Sequence, residues 1–159
     1  MDWRIKMNID EFQKKIDDIW YWDAQVLDIQ ARYLGSWIDI YFEDENPYFS
    51  KLSFLNCTNI NYKTNSKLLL SKDVSKRNAR QLDYWGQDII VSKASEVLDD
   101  IELVDVKIEL GMMQMELRCQ DIQVTKGNFN EQRFFWMDTP YLSGERFQIK
   151  STLEKNGRR

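Results

Sequence analysis

The chain of 159 residues contains no histidine. Histidine is the usual side chain for moving protons near neutral pH, and the commonest metal ligand. Its absence excludes Ser-His-Asp and Cys-His catalytic arrangements and the histidine-based zinc sites. Cysteine is scarce as well. Cys57 and Cys119 lie too far apart for a C-x-x-C redox pair or a structural zinc site. Each falls on the apolar side of a predicted strand, which marks a small core residue. The six glycines (positions 35, 86, 111, 127, 144 and 157) are too scattered for a dinucleotide fingerprint or a P-loop. Long apolar runs are missing, and runs such as Leu68-Leu69-Leu70 and Ile89-Ile90-Val91 are short. The first residues, Met-Asp-Trp-Arg-Ile-Lys, turn polar at once. Neither a membrane span nor a signal peptide fits, so the expected location is the cytoplasm, with both thiols reduced.

Rings are what the chain has in abundance: six Trp, seven Tyr and eight Phe. Each can bury roughly 150–250 Å², so a core or a contact surface is built largely from aromatics. Net charge is −4, which disfavours broad nucleic-acid binding. Between Lys63 and Arg80 six bases stand against Asp73, and between Glu96 and Glu109 six acids stand against Lys107. The basic stretch lacks the interleaved rings of single-strand binders and reads as a solvated loop. Asp39, Glu43, Asp44 and Glu45 form another acidic cluster, of the kind that speeds capture of a basic partner.

Periodicity assigns the architecture. Asn8 and Glu11 look like a capping pair, and Ile9, Phe12, Ile16, Ile19 and Trp20 recur at helical spacing, so a helix is predicted over 9–20. The period then falls to two. Leu27, Ile29, Ala31 and Tyr33 alternate with polar residues, Gly35-Ser36 turns the chain, and Ile38, Ile40 and Phe42 alternate again. The pattern predicts an antiparallel hairpin over 27–43 with one wet face. A third strand is expected from Leu52 to Tyr62. Val104–Leu110 and Met113–Cys119 repeat the hairpin grammar across Gly111-Met112. Leu55-x-Cys57-x-Asn59-Ile60-x-Tyr62 is echoed by Leu117-x-Cys119-x-Asp121-Ile122-x-Val124. In both, the apolar phase slips by one residue, which predicts a bulge or bend there. The expected fold is α+β: mainly antiparallel sheet with an N-terminal helix, as a single domain over 1–159. Two similar three-stranded units, with an internal repeat of 24–63 and 101–126, would form a sandwich or a half-barrel. A short helix over Ser75–Asp83, a turn at Tyr84-Trp85-Gly86 and two strands within the last third complete the reading.

The stretch Trp22-Asp23-Ala24-Gln25-Val26-Leu27-Asp28-Ile29 resembles the opening of small bacterial immunity proteins of polymorphic and contact-dependent toxin systems. There a Trp-(x)-Asp-(Ser/Ala)-x-(apolar) segment leads into a hairpin, here 27–43, and a later Leu-x-(small apolar) slot, here Leu55-x-Cys57. The likeness covers about the first 60 residues. It implies a cytoplasmic, non-catalytic protein that blocks a cognate toxin by binding it, and it supplies no active-site residues.

Carboxylates are the surviving catalytic kit. Asp28 and Asp39, or Asp105, Glu109 and Glu116, would suit a hard cation in a metal-dependent hydrolase or nuclease, yet solvated strand faces carry such residues routinely. A small-ligand carrier with rings at a barrel mouth is a further alternative. Trp20, Tyr21, Trp22, Trp37, Tyr41, Tyr84 and Trp85 exceed what one helix and two strands need for packing. Tyr and Trp favour interface hot spots, while packing from a second layer accounts for them equally well. The leading expectation is a binding or inhibitory protein without cofactor or metal. Its partner would be a protein, such as a basic toxin domain, contacted by Trp37, Asp39, Tyr41, Glu43, Asp44 and Glu45. Trp37 and Tyr41 would be the anchors and the acids the steering charges.

Overall fold

Strands of six to eight residues account for about half of the described residues. The computed structural model describes residues 9–45, 47–64, 84–94 and 99–138. Helix α1 (Ile9–Asp17) carries Asp10 and Glu11 in its first turn and Lys14 and Lys15 in its last, as the helix dipole favours. It stops short of the predicted residue 20 because Trp20 turns left-handed (φ 58°). Asn8 and the predicted helix over 75–83 lie outside the described residues.

Eight strands follow: β1 (Val26–Arg32), β2 (Trp37–Glu43), β3 (Tyr48–Leu55), β4 (Asn59–Thr64), β5 (Asp88–Lys93), β6 (Val104–Glu109), β7 (Met113–Cys119) and β8 (Asp121–Asn128). They form two four-stranded antiparallel sheets, ordered β1-β2-β3-β8 and β4-β7-β6-β5, that do not close into a barrel. The single strand expected over 52–62 is two strands in different sheets. Asn56 (φ 56°) breaks it, and the chain crosses from the first sheet to the second. At Gln120 the chain crosses back, from β7 to β8. Both phase slips seen in the sequence are therefore sheet crossings. They lie against each other: Gln120 N–H donates to Leu55 O (3.0 Å) and Thr58 N–H to Arg118 O (2.9 Å). Exchanging β1–β4 with β5–β8 maps one sheet order onto the other, each group of four lending its last strand to the other sheet.

The inner faces share one core. Ile38, Ile40, Phe42, Leu52, Phe54 and Ile122 from the first sheet meet Ile89, Val106, Ile108, Met113, Met115 and Leu117 from the second. Burying each such side chain contributes about 1.5–3 kcal/mol. Cys119 is buried in this core and Cys57 half-buried beside it, and both thiols are free. α1 packs where β5 and β8 form the sheet edges. It buries Ile16 and seals the β5 edge: Gln13 Nε2 donates to Ile89 O, Gln13 Oε1 accepts from Val91 N–H, and Tyr21 Oη accepts from Ile89 N–H.

The hairpin has no wet face. Residues Phe129–Glu131 and Phe135–Asp138 form short 3-10 turns, where the sequence pattern had suggested a strand around Phe134-Phe135-Trp136. This segment lies on the outer face of the first sheet. Phe129, Phe134 and Trp136 join Leu27, Tyr41 and Phe49 in a second core. Trp136 Nε1 donates to Leu27 O at 2.9 Å, and the rings of Phe134 and Trp136 stack at 5.6 Å. Gly127 on β8 admits the Phe49 ring, which a β-carbon there would strike. Five of the six members of this second core are aromatic, so the surplus of rings is partly packing.

Candidate interface

The β1–β2 connection is left-handed over three successive residues: Tyr33 (φ 52°), Leu34 (φ 58°) and Gly35 (φ 93°). For the two that carry side chains this costs on the order of 1–2 kcal/mol each. The turn is fastened by Ser36 N–H donating to Tyr33 O and by Cys57 N–H donating to Ser36 O. The result is a projecting apolar tip. Leu34 is as exposed as in an open peptide (109%) and Tyr33 is 66% exposed.

The rings at the tip are held in place. Tyr33 meets Trp37 edge to face at 5.1 Å, and the Arg32 guanidinium lies 5.1 Å from the Trp37 ring centre and 5.8 Å from that of Tyr33. Arg32 is itself fixed from behind. Its Nε sits 2.7 Å from Asp39 Oδ2, an ion pair with the carboxylate fully buried, and Ser53 Oγ donates to Asp39 Oδ1 at 2.6 Å. Pairing explains the geometry. Asp39 faces Ser53 directly across β2–β3, and it lies diagonal to Arg32, which faces Trp37 across β1–β2.

From the tip an open flank runs between β1 and β4. A β-carbon on Gly35 would stand 3.9 Å from Ile60 Cδ1. Ile60 and Tyr62, two residues apart on β4, are exposed large apolar residues. Beyond them a cleft of about 330 Å³ opens between Val26–Ile29 and the rings of Tyr62, Tyr84 and Phe135. The Tyr62 and Tyr84 hydroxyls lie 3.1 Å apart. Burial, together with the Tyr84 hydroxyl, raises the Tyr62 pKa. This flank is the counterpart, under the exchange of strand groups, of the slot that α1 fills between β5 and β8. Among the described residues no helix covers it.

The six residues singled out from sequence do not share one face. Trp37 is at the tip, half-buried. Asp39 is buried beneath it as the anchor for Arg32. Tyr41 belongs to the second core, in contact with Phe49 and Phe134, and burial first and the Asp39 charge next raise its pKa. Asp39 and Tyr41 present nothing to solvent (0% and 2%), Tyr41 lying against the Phe134 ring. Glu43, Asp44 and Glu45 lie at the other end of β2, roughly 20 Å away at strand rise. There Asp44 accepts from Glu45 N–H and Ser50 and pairs with Lys126 at 3.1 Å. Against the upward pull of partial burial, these contacts hold its carboxyl below the usual range. Asp44 and Glu45 line a second cleft with Asp18, Lys15, Lys126 and the exposed Trp20, whose ring meets Trp22 edge to face at 5.9 Å. Arg32, Tyr33 and Leu34 were not singled out. Leu34 left one sign in the sequence, an apolar residue on the polar phase of the alternation.

Asp105, one of the carboxylates considered as a cation ligand, is already paired. Arg118 clasps Asp105 with Nε and a second nitrogen, at 2.7 and 3.2 Å, across β6–β7. Among the described residues no three acidic or cysteine side chains converge as a metal-holding group, and no helix is long and apolar enough to cross a membrane.

A protein-family model described as Immunity protein PIM7 matches residues 8–126, from the start of α1 into β8. The match includes the tip and β4, and it ends before the 129–138 segment. No curated protein matches the chain.

Proposed function

Since this chain belongs to the immunity protein PIM7 family, we propose that it neutralises a cognate toxin by direct, non-catalytic binding, and that the β1–β2 tip with the adjoining β4 flank is the surface that engages it. The observation that carries this reading is Leu34. A fully exposed leucine in a left-handed backbone serves neither folding nor solubility, and strain of this kind persists where a function selects it. Around it stand Arg, Tyr and Trp, the residue types enriched at binding hot spots. The Arg32–Asp39 pair presets the rings, so little side-chain freedom is lost on docking. The net acidic charge, including Glu43, Asp44 and Glu45, favours encounter with a basic toxin without contributing to the docked contact. Binding of this kind transforms no substrate, and it needs none of the chemistry that the sequence lacks.

The test is Leu34→Asn, co-expressed with the toxin encoded beside its gene. Asparagine tolerates the left-handed turn, so stability is expected to hold or rise by about 0.5 kcal/mol. Affinity for the toxin is expected to fall by about 2 kcal/mol, roughly thirtyfold, and protection with it. Full protection by a well-folded Leu34→Asn protein would remove the tip from the interface.

A further inference from the structure

The cleft beside β1 carries a carboxylate that has no counter-charge among the described residues. Asp28 lies half-buried among Val26, Leu27, Ile29 and Phe135. It accepts from Ile29 N–H at 2.8 Å and from Gln30 Nε2 at 2.9 Å, and no lysine or arginine among the described residues pairs with it. Asp39 and Asp105, on other strands, each have an arginine at 2.7 Å. A register shift between Val26 and Asp28 places this side chain at the sheet edge. Burial raises its pKa.

The walls are apolar and the rim is aromatic. An anion among apolar walls and ring faces complements one chemical class, a cation on an apolar stem. The stem replaces water along the walls, the charge meets the carboxylate, and ring faces attract the cation. We infer that this cleft receives a lysine or arginine side chain of a protein partner, with Asp28 as its counter-ion and Tyr62 and Tyr84 as its aromatic rim. That the partner is the toxin rests on the function proposed above. The chemistry of the cleft does not.

The experiment follows amide chemical shifts of the whole protein during titration with n-butylguanidinium, n-butanol or valerate. These probes share an apolar stem and differ in charge. The expected result is saturable shifts centred on Val26–Ile29 and Tyr84 with n-butylguanidinium, about tenfold weaker binding of n-butanol, and none of valerate. Asp28→Asn, which can still accept from Ile29 N–H, should bring n-butylguanidinium down to the level of the alcohol. Tyr62→Leu keeps the bulk without the ring. It should weaken the cation about threefold and leave the alcohol unchanged, which keeps the test open if Asp28→Asn does not fold. Equal binding of the cation and the alcohol, undiminished binding by either variant, or shifts centred elsewhere would overturn the inference. Loss of toxin protection in Leu34→Asn is read separately. A cleft that takes n-butylguanidinium in a protein whose Leu34→Asn variant still protects would sink the docking surface and keep the cation site.

Discussion

The Arg32–Asp39 pair offers a prediction that can be worked through from its geometry. Asp39 is wholly buried, at 2.7 Å from Arg32 and 2.6 Å from Ser53, while the Arg32 side chain is 38% exposed. Arg32→Met keeps the apolar stem over Trp37 and removes the charge. Removing one member of a buried pair costs about 3–5 kcal/mol when the other is left without water. Here the arginine side is open enough for water to reach the carboxylate, so the expected cost is about 2–3 kcal/mol. Asp39→Asn leaves an acceptor for Ser53 and a cation free to turn into solvent, at about 1 kcal/mol. The double variant carries no buried charge and should cost about 1–1.5 kcal/mol, well below the sum of the single changes. Urea unfolding followed by tryptophan fluorescence supplies the four free energies. A cost below about 0.5 kcal/mol for Arg32→Met, or strict additivity in the double variant, would refute the claim that Asp39 anchors the tip.

Two further outcomes concern the second core and the buried phenol. Phe134 is 1% exposed and touches four rings, so Phe134→Ala should cost about 3–5 kcal/mol in the same assay. A loss below about 1 kcal/mol would mean that the 129–138 segment is not held on the sheet. Burial pushes the Tyr21 phenol up to about 12. The folded chain therefore keeps a proton that the unfolded chain releases near pH 10. The stability that Tyr21 contributes in this way is complete below pH 10 and is lost as pH rises toward 12. Melting temperatures from pH 8 to 11.5 should fall above pH 10, with tyrosinate absorbance at 295 nm rising on unfolding, whereas a flat profile would place Tyr21 in water.

The alternations made both hairpins legible, because a period of two admits one register against a buried face. The slips after Cys57 and Cys119 were legible as breaks in phase. That each is a crossing between sheets was not, since alternation reports which face is buried and not which sheet a strand joins. Trp20 ended the helix early through a backbone choice that its apolar character disguises. The outer face of β2 read as wet because Asp39 and Tyr41 alternate with Ile38 and Ile40. The cover over Tyr41 comes from Phe129, Phe134 and Trp136, distant in sequence and without periodicity. Of the residues singled out for the interface, Trp37 lies at the tip, whereas Asp39, expected as a steering charge, is the buried partner of Arg32. The arrangement of Arg32 over Tyr33 and Trp37 was not legible, because it depends on a left-handed turn for which only Gly35 is a marker.

The placement of the partner is tested most directly by hydrogen exchange on the protein alone and in complex with its toxin. The account predicts slowed exchange over Arg32–Trp37 and Asn59–Thr64, with β5 and β6 unchanged. Protection confined to β5, β6 or α1, with the tip and β4 exchanging as in the free protein, would contradict it.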